Sequence, residues 1–339
     1  MSERIAIMGG GSGGAYLYRL LRQRRPELDI TVFDRPSLNP CGAKGCAWGL
    51  ARPLFTQLCA DIGFVPGKYV FESYDHVIVN RRRLKADLVI IDKPALLRDL
   101  LEGAKLLDPS TARLDDFSRV IDATGSERAY LPKISATPIV SAVQVRLKVK
   151  APEAPTAVFN PGGGYSWLFP IGHDEVHLGS LSPWGLDAAK KELQSMMEKN
   201  GRSKAECSCR GEIRCHGPVT PFVDGKVWGI GEAIGLVDPV TGAGIIPAMV
   251  SAGLLLGNWD SPPAYEREVL RRYSYMTKEA SVLNNLAAGR PLSSSDLFFP
   301  KQALETIGLK PGFFDLVGLV TQAARDYLNL HAKKFPETP

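Results

Sequence analysis

Six residues near the start of the chain, GGGSGG from Gly9 to Gly14, follow the apolar run Ile5-Ala6-Ile7-Met8. Gly9, Gly11 and Gly14 are spaced for one kind of chemistry. The first lets the chain turn off a strand, the second lets a pyrophosphate approach the backbone, and the third lets the next helix pack against the sheet. A helix over Ala15 to Arg24 would then turn its N-terminal amides toward phosphates. A second strand, Ile30 to Phe33, ends at Asp34, whose carboxylate suits the hydroxyls of an adenosine ribose and disfavours a 2′-phosphate. FAD or NAD therefore fits better than NADP. The competing reading is a glycine-rich turn that binds nothing; strand, glycines, helix, strand and acid in this order weigh against it.

Further along, Val120 to Gly125 reads as a strand ending in a small-residue turn that could accept the middle of an extended dinucleotide. Val227 to Gly231 is a strand followed by Glu232. The run AIGLVDPVTGAGIIPAM then enters a helix with Gly242 and Gly244 at its start, where backbone amides point toward an electron-rich partner. Cys41 and Cys46 lie in an irregular loop, RPSLNPCGAKGCAWG. They are either thiols facing a flavin or substrate, or small residues in a tight loop.

These residues need a scaffold, and 339 residues suffice for two modest domains or one larger discontinuous one. Alternating apolar residues between Gly67 and Arg83 predict strands of a second layer, and Leu88 to Asp92 another strand. A helix follows from Lys93 to about Gly103. Strands are expected at Ile139–Val149, Tyr165–Pro170 and Val176–Leu181, with a helix at Leu186–Lys199. Beyond Pro262 the chain reads as helical to about Gly289, then closes with aromatic-bearing helices around Phe313, Phe314 and Tyr327. The expected fold is α/β: a discontinuous Rossmann-type dinucleotide-binding domain, for FAD or NAD (1–60, 85–131 and 216–260), carrying an inserted, mostly antiparallel substrate domain (61–84 and 132–215). A helical C-terminal region (261–339) completes it.

With 45% hydrophobic and 23% charged residues the chain has an ordinary globular composition. A net charge of +5 suits phosphate-bearing ligands or an anionic membrane surface and falls short of a nucleic-acid signature, so no nucleic-acid partner is expected. Arg81-Arg82-Arg83 reads as a solvated loop. No signal peptide precedes the first strand, and Ile245 to Leu256 is too short to span a bilayer, so a cytoplasmic location is expected. In that compartment the six cysteines should be thiols rather than a disulfide framework. Cys207, Cys209, Ile213 and Cys215 alternate with Glu206, Arg210, Glu212 and Arg214, as on a half-buried strand. A metal site from Cys207, Cys209, Cys215 and His216 is conceivable, but cysteines on the inner face of a strand explain the pattern, and no metal is expected.

Three segments together resemble one family. The GGGSGG start, GGYSWLFP from Gly163 to Pro170 and GIGEAIGLVDPVTGAGI from Gly229 to Ile245 are similar to the geranylgeranyl reductases, FAD proteins of the para-hydroxybenzoate hydroxylase fold group. The resemblance covers most of residues 1 to 260, and the Tyr-x-Trp-x-Phe-Pro element is its most specific part. It implies that Gly9, Gly11, Gly14 and Asp34 hold the dinucleotide. Gly125, Gly231 and Glu232 would meet its sugar or ribityl hydroxyls. Asp238, Pro239, Gly242, Ala243 and Gly244 would line the flavin's pyrimidine edge, and Cys41 and Gly42 match the family's flavin-side Cys-Gly. Tyr165, Trp167 and Phe169 would form an apolar pocket over the flavin face.

Three positions depart from the family pattern. Glu232 stands where aspartate is usual. Lys93 is the nearest match to a phosphate-side arginine, and Ile213-Arg214-Cys215-His216 replaces an Ile-Pro approach. The implied activity is reduction of carbon–carbon double bonds in a polyprenyl lipid or quinone side chain, by hydride from reduced FAD. An isolated alkene accepts hydride poorly, so an acid must assist; Tyr165, Cys41 and an ordered water are the candidates. Ferredoxin or NAD(P)H would donate electrons, and a prenyl substrate makes peripheral membrane contact an expectation. The alternatives are an aromatic hydroxylase of the same fold, or a non-catalytic flavin-binding partner in an electron-transfer complex.

Overall fold

The computed structural model describes residues 3–35, 46–134, 139–160, 163–200, 204–287, 290 and 305–310. Cys41, Gly42 and the aromatics Phe313, Phe314 and Tyr327 lie outside the described residues. In chain order the first elements are β1 (Arg4–Met8), α1 (Ser12–Arg24), β2 (Asp29–Phe33), β3 (Gly49–Ala51), α2 (Arg52–Ala60), β4 (Val70–Val79) and β5 (Arg82–Ile91). Next come α3 (Lys93–Leu100), β6 (Lys105–Leu107), β7 (Arg119–Asp122), β8 (Ile139–Leu147), β9 (Thr156–Phe159), β10 (Tyr165–Pro170) and β11 (Val176–Ser182). The remainder are α4 (Leu186–Lys199), β12 (Ala205–Arg214), β13 (Val223–Asp224), β14 (Val227–Gly229), α5 (Ile245–Gly257) and α6 (Pro262–Ala287).

Two sheets result. The first has the order β13-β14-β7-β1-β2-β6, parallel except where β13 meets β14. Its central strands β1, β2 and β7 are short and mostly apolar because both their faces are covered, whereas β6 at the edge is exposed. On one face α1 and α5 lie side by side, close enough that a Cβ on Gly13 would sit 3.4 Å from Ala248. The expected parallel dinucleotide-binding sheet is therefore present, with α1 starting inside the glycine run rather than after it.

The second sheet runs β12-β8-β11-β10-β9-β4-β5-β3 and is antiparallel except between β4 and β9. Its two faces differ. Val143, Val145, Leu147, Leu168, Val176 and Leu178 form a core beneath Ala189 and Leu193 of α4. The opposite face carries Tyr165, Trp167 and Phe169 of β10, opposite Leu181, Gly179 and His177 of β11. Gly179 is required there: a Cβ would fall 2.1 Å from the Trp167 ring. β5 leaves this sheet directly into α3, while β3 joins its edge. β4 and β5 are linked by a turn in which Asn80 and Arg81 have φ of 47° and 66°, the left-handed pair of a tight hairpin. Arg81, Arg82 and Arg83 are exposed on it, as expected.

One expectation needs correction. Cys207 is disulfide-bonded, whereas Cys46, Cys59, Cys209 and Cys215 carry thiols. The alternation along β12 is as expected up to Glu212, with Cys207 and Cys209 half-buried between exposed residues; beyond it Ile213 and Arg214 are both half-buried. No helix among the described residues is long and apolar enough to cross a membrane.

Candidate functional site

The glycine run and the strand ends around it form a cradle. Gly9 has φ +110°, and a Cβ there would lie 2.4 Å from the Ala123 carbonyl oxygen, so β1 and β7 converge on it. A Cβ on Gly14 would lie 1.9 Å from the Gly9 carbonyl oxygen, which is the close helix-to-strand packing expected of the third glycine. Gly11 differs from both: its Cβ would meet nothing within 4 Å. The space in front of Gly11 is open, and Gly11 itself is the uncapped N-cap of α1, with no acidic residue in the first turn. Beside it, a Cβ on Gly10 would be 2.7 Å from Asp34 Oδ2, which puts the carboxylate against the rim of the same opening. These residues fit a dinucleotide: an approachable backbone, free helix amides and a ribose acceptor occur together.

Asp122 closes the floor. It is fully buried and accepts from the amides of Thr124, Tyr130 and Leu131 and from the Thr124 hydroxyl. Next to it Arg128, with φ 42°, donates to the carbonyls of Pro132, Pro221 and Ala233. Burial lowers its proton affinity and Asp122 restores some of it. No motif in the sequence announces this buried guanidinium.

Glu232 follows β14. Its Oε1 accepts the Arg214 amide at 2.9 Å, and a Cβ on Gly125 would stand 3.3 Å from its Oε2. Burial pushes its carboxyl up to about 7, against hydrogen bonds from Arg214 and Ser126 and the charges of Arg214 and Lys93. Thus Gly125 and Glu232, drawn from separate segments, are brought together, and the Lys93 charge acts on the Glu232 carboxyl. Arg214, marked in the sequence only as a departure, joins them through Nε to the Ser126 carbonyl at 2.6 Å.

The loop before α5 is folded on Asp238. That carboxylate is buried and accepts from the amides of Val240 and Thr241 and the Thr241 hydroxyl. The turn leaves Gly242, Ala243 and Gly244 half-exposed at the uncapped N-terminus of α5. Here the loop meets the second sheet: Gly242 (φ +67°) would place a Cβ 3.7 Å from Leu181 and Ile213 and 3.8 Å from Tyr165 Oη. Tyr165 Oη donates to the Thr241 carbonyl. Its phenol is raised above its ordinary value, first by burial and then by the nearby Cys215, Asp238 and Cys46. Trp167 is held by its Nε1 on Gln144 Oε1 at 3.1 Å.

Two residues here carried no signal in the sequence. Trp48 adopts φ 62°, and its ring meets His177 edge-on at 4.3 Å. Trp48 Nε1 and both His177 nitrogens are buried without a partner. Burial, then Arg146, lowers His177 to about 3, so its ring is neutral. An open groove of about 1010 Å³ lies at the other end of β10, at Pro170. It is lined by Lys85, Asp87, Lys150, Glu153 and other charged groups, which suits an apolar ligand poorly.

No protein-family profile matches the chain. Over 123 residues it is 29% identical to digeranylgeranylglycerophospholipid reductase 3 of Methanosphaera stadtmanae; the match covers 33% of this chain and 30% of that protein. Along its full length it is similar to a geranylgeranyl bacteriochlorophyll reductase-like protein of Thermoplasma acidophilum, with a TM-score of 0.71 and 17% identity, covering 99% and 98% of the two chains. The fold is that of the geranylgeranyl reductase-like proteins. It is shared with the tryptophan 5-halogenase MibH (TM-score 0.68, 15% identity, 96% and 91% covered). PqsL of Pseudomonas aeruginosa, a probable FAD-dependent monooxygenase, also has it (0.60, 17%, 84% and 96%).

Proposed function

We propose that the chain is an FAD-dependent oxidoreductase that saturates carbon–carbon double bonds of a polyprenyl lipid or quinone side chain. The observation that carries this reading is the meeting of the Gly242 loop with the Tyr165–Trp167–Phe169 face. Tyr165, Leu181 and Ile213 stand within 4 Å of a Cβ at Gly242, beside the end of the helix whose amides favour negative charge. Gly9, Gly11 and Gly14 would hold the pyrophosphate, Asp34 the adenosine ribose, and Gly125, Gly231 and Glu232, with Lys93 nearby, the central hydroxyls and phosphates. Asp238, Pro239, Gly242, Ala243 and Gly244 would border the ring. When bound and reduced, FAD supplies the hydride.

The chain's own residues have three tasks. Trp167 and Phe169 exclude water and align an apolar chain. Tyr165 holds a proton on Oη and is the proposed proton source. The α5 amides stabilise negative charge. Ferredoxin or NAD(P)H would provide electrons, and contact with a membrane surface would give access to the lipid. The aromatic-hydroxylase reading draws support from the monooxygenase and halogenase among the similar structures.

The test is an absorbance spectrum before and after anaerobic dithionite, followed by addition of a prenyl lipid and mass analysis. Bleachable FAD and a gain of two hydrogens per double bond support the reading. Hydroxylated product formed only with oxygen would replace it with the hydroxylase. A flavin that is reduced but turns over neither substrate would favour the electron-transfer partner.

A further inference from the structure

The aromatic face of the second sheet ends in polar atoms on the side away from Gly242. His177 of β11 stands opposite Phe169 of β10 and Arg146 of β8. Residues opposite one another on antiparallel strands share a face, so the His177 ring lies with Tyr165, Trp167 and Phe169, turned away from the core beneath α4. Leu181, which a Cβ on Gly242 would touch, is four residues further along β11. His177 and the Gly242 loop therefore mark the two ends of a strip about 13 Å long.

Trp48 covers the far end. Its left-handed backbone, φ 62°, is costly for a bulky side chain, yet its carbonyl still accepts the Ile91 amide at 3.1 Å. In this conformation the indole meets His177 edge-on at 4.3 Å. The next residue, Gly49, lies on Phe169, where a Cβ would fall 2.7 Å from the ring. Trp48 is 3% exposed and His177 1%. Trp48 Nε1, His177 Nδ1 and His177 Nε2 are buried and have no hydrogen-bond partner. Buried polar atoms are nearly always paired, and three unpaired ones on two touching rings, beside a strained backbone, point to a ligand.

The surrounding charge selects its chemistry. Arg146, opposite His177, is already engaged by Glu175 and, at 3.8 Å, by Glu206, and burial keeps the His177 ring neutral. A phosphate here would be a buried anion with no cation of its own. An uncharged oxygen is matched: Trp48 Nε1–H donates, and a neutral imidazole brings one donor and one acceptor. A carbonyl oxygen can accept from both rings, and a hydroxyl can accept from one and donate to the other.

We propose that Trp48 Nε1 and one His177 nitrogen bind an uncharged oxygen at the end of the substrate. That oxygen is the hydroxyl of a polyprenyl alcohol or the carbonyl of a prenyl quinone, and the chain behind it lies along Phe169, Trp167 and Tyr165 toward Gly242. The subsite deepens the reductase reading and rests on it for the place of the flavin.

Calorimetric titration of the full chain, with and without FAD, tests this. The probes, all in one detergent, are a polyprenyl alcohol, a prenyl quinone, the hydrocarbon of matching length and the polyprenyl diphosphate. Wild type should bind the alcohol or the quinone about 10-fold more tightly than the hydrocarbon, the scale of two buried hydrogen bonds, and the diphosphate no better than the hydrocarbon. Whichever of the two binds more tightly names the source of the oxygen. Trp48→Phe and His177→Phe, each checked for folding by a thermal melt, should each remove much of that gain and leave hydrocarbon binding unchanged. Weakening of every probe alike overturns the proposal, as does a diphosphate that binds most tightly.

An NMR spectrum of the indole N–H groups supplies a second readout, with the Trp48 resonance identified by its loss in Trp48→Phe. It should shift with the alcohol or quinone and stay in place with the hydrocarbon. A resonance that no oxygen-bearing probe moves means that water alone meets these nitrogens, and overturns the subsite. Binding that depends on both rings, without saturation of any double bond by the reduced FAD protein, leaves the subsite standing and overturns the reductase reading. Saturation with KM for the alcohol and the quinone unchanged in both variants does the reverse.

Discussion

Tyr165 Oη donates to the backbone carbonyl of Thr241, tying the second sheet to the turn that opens α5. The residue best placed to keep a proton thus also aligns two elements far apart in the chain. Tyr165→Phe removes the O–H and keeps the ring. Flavin content should be retained while turnover falls on the order of 100-fold, the scale of lost general-acid assistance. Loss of flavin together with activity would instead make the tyrosine a structural tie.

Gly11 and Gly14 separate binding from folding. Gly11→Val enters open space, so its melting temperature should match wild type within a few degrees, yet FAD should be lost because the side chain fills the approach to the backbone. Gly14→Ala drives a Cβ into the Gly9 carbonyl and should destabilise the fold by about 1–3 kcal/mol or more. Flavin absorbance and a thermal melt on each variant check the contrast. A Gly11→Val protein with full flavin content would show that the cradle is misassigned.

Trp167→Ala should spare FAD and lower turnover, at a stability cost of about 3–5 kcal/mol for a buried aromatic. Trp167→Phe isolates the indole N–H, leaving Gln144 Oε1 without its donor, and should cost about 1–3 kcal/mol in urea unfolding.

Glu232 carries a pH dependence. Its folded value, about 7, lies above the ordinary 4.5, so its favourable contribution is complete below pH 4.5 and is lost as the pH rises to about 7. In the flavin-free protein, Glu232→Gln should match wild type near pH 4.5 and exceed it by about 1–3 kcal/mol at pH 8. Chemical denaturation at both values checks it; a constant difference would mean that the carboxylate is solvated.

Arg128 should be as costly to truncate as Trp167. Arg128→Ala leaves the carbonyls of Pro132, Pro221 and Ala233 without their donor and should destabilise by about 3–5 kcal/mol. Arg128→Lys should recover little, since one ammonium cannot span the positions that the planar fork reaches. A melt of both variants decides.

Local chemistry made the cradle legible: Gly9, Gly14 and Asp34 announce themselves because a turn, a close packing contact and a strand end each demand a residue type. The same holds for α4, α5 and α6, whose periodicity is long. Short strands with little pattern of their own, β3, β6 and β9, gave no comparable signal, because pairing with other strands creates them. Arg128, His177 and Trp48 were illegible for a related reason. A buried polar residue is defined by what the fold packs around it, and nothing beside it in the chain records that. The reading of the cysteines as thiols failed at Cys207 because it was drawn from an expected compartment rather than from geometry.

Val227 pairs with Val120 although the greater part of the second sheet lies between them in the chain. During synthesis the inner strands of the second sheet are therefore complete before β14 exists, and the first sheet waits with four of its six strands, β7 exposing an unpaired edge. The late arrival of β14 makes that edge vulnerable in the nascent chain. Expression conditions that slow translation after β12, or that supply chaperones to hold β7, should govern the yield of soluble protein more strongly than the stability of the finished fold does.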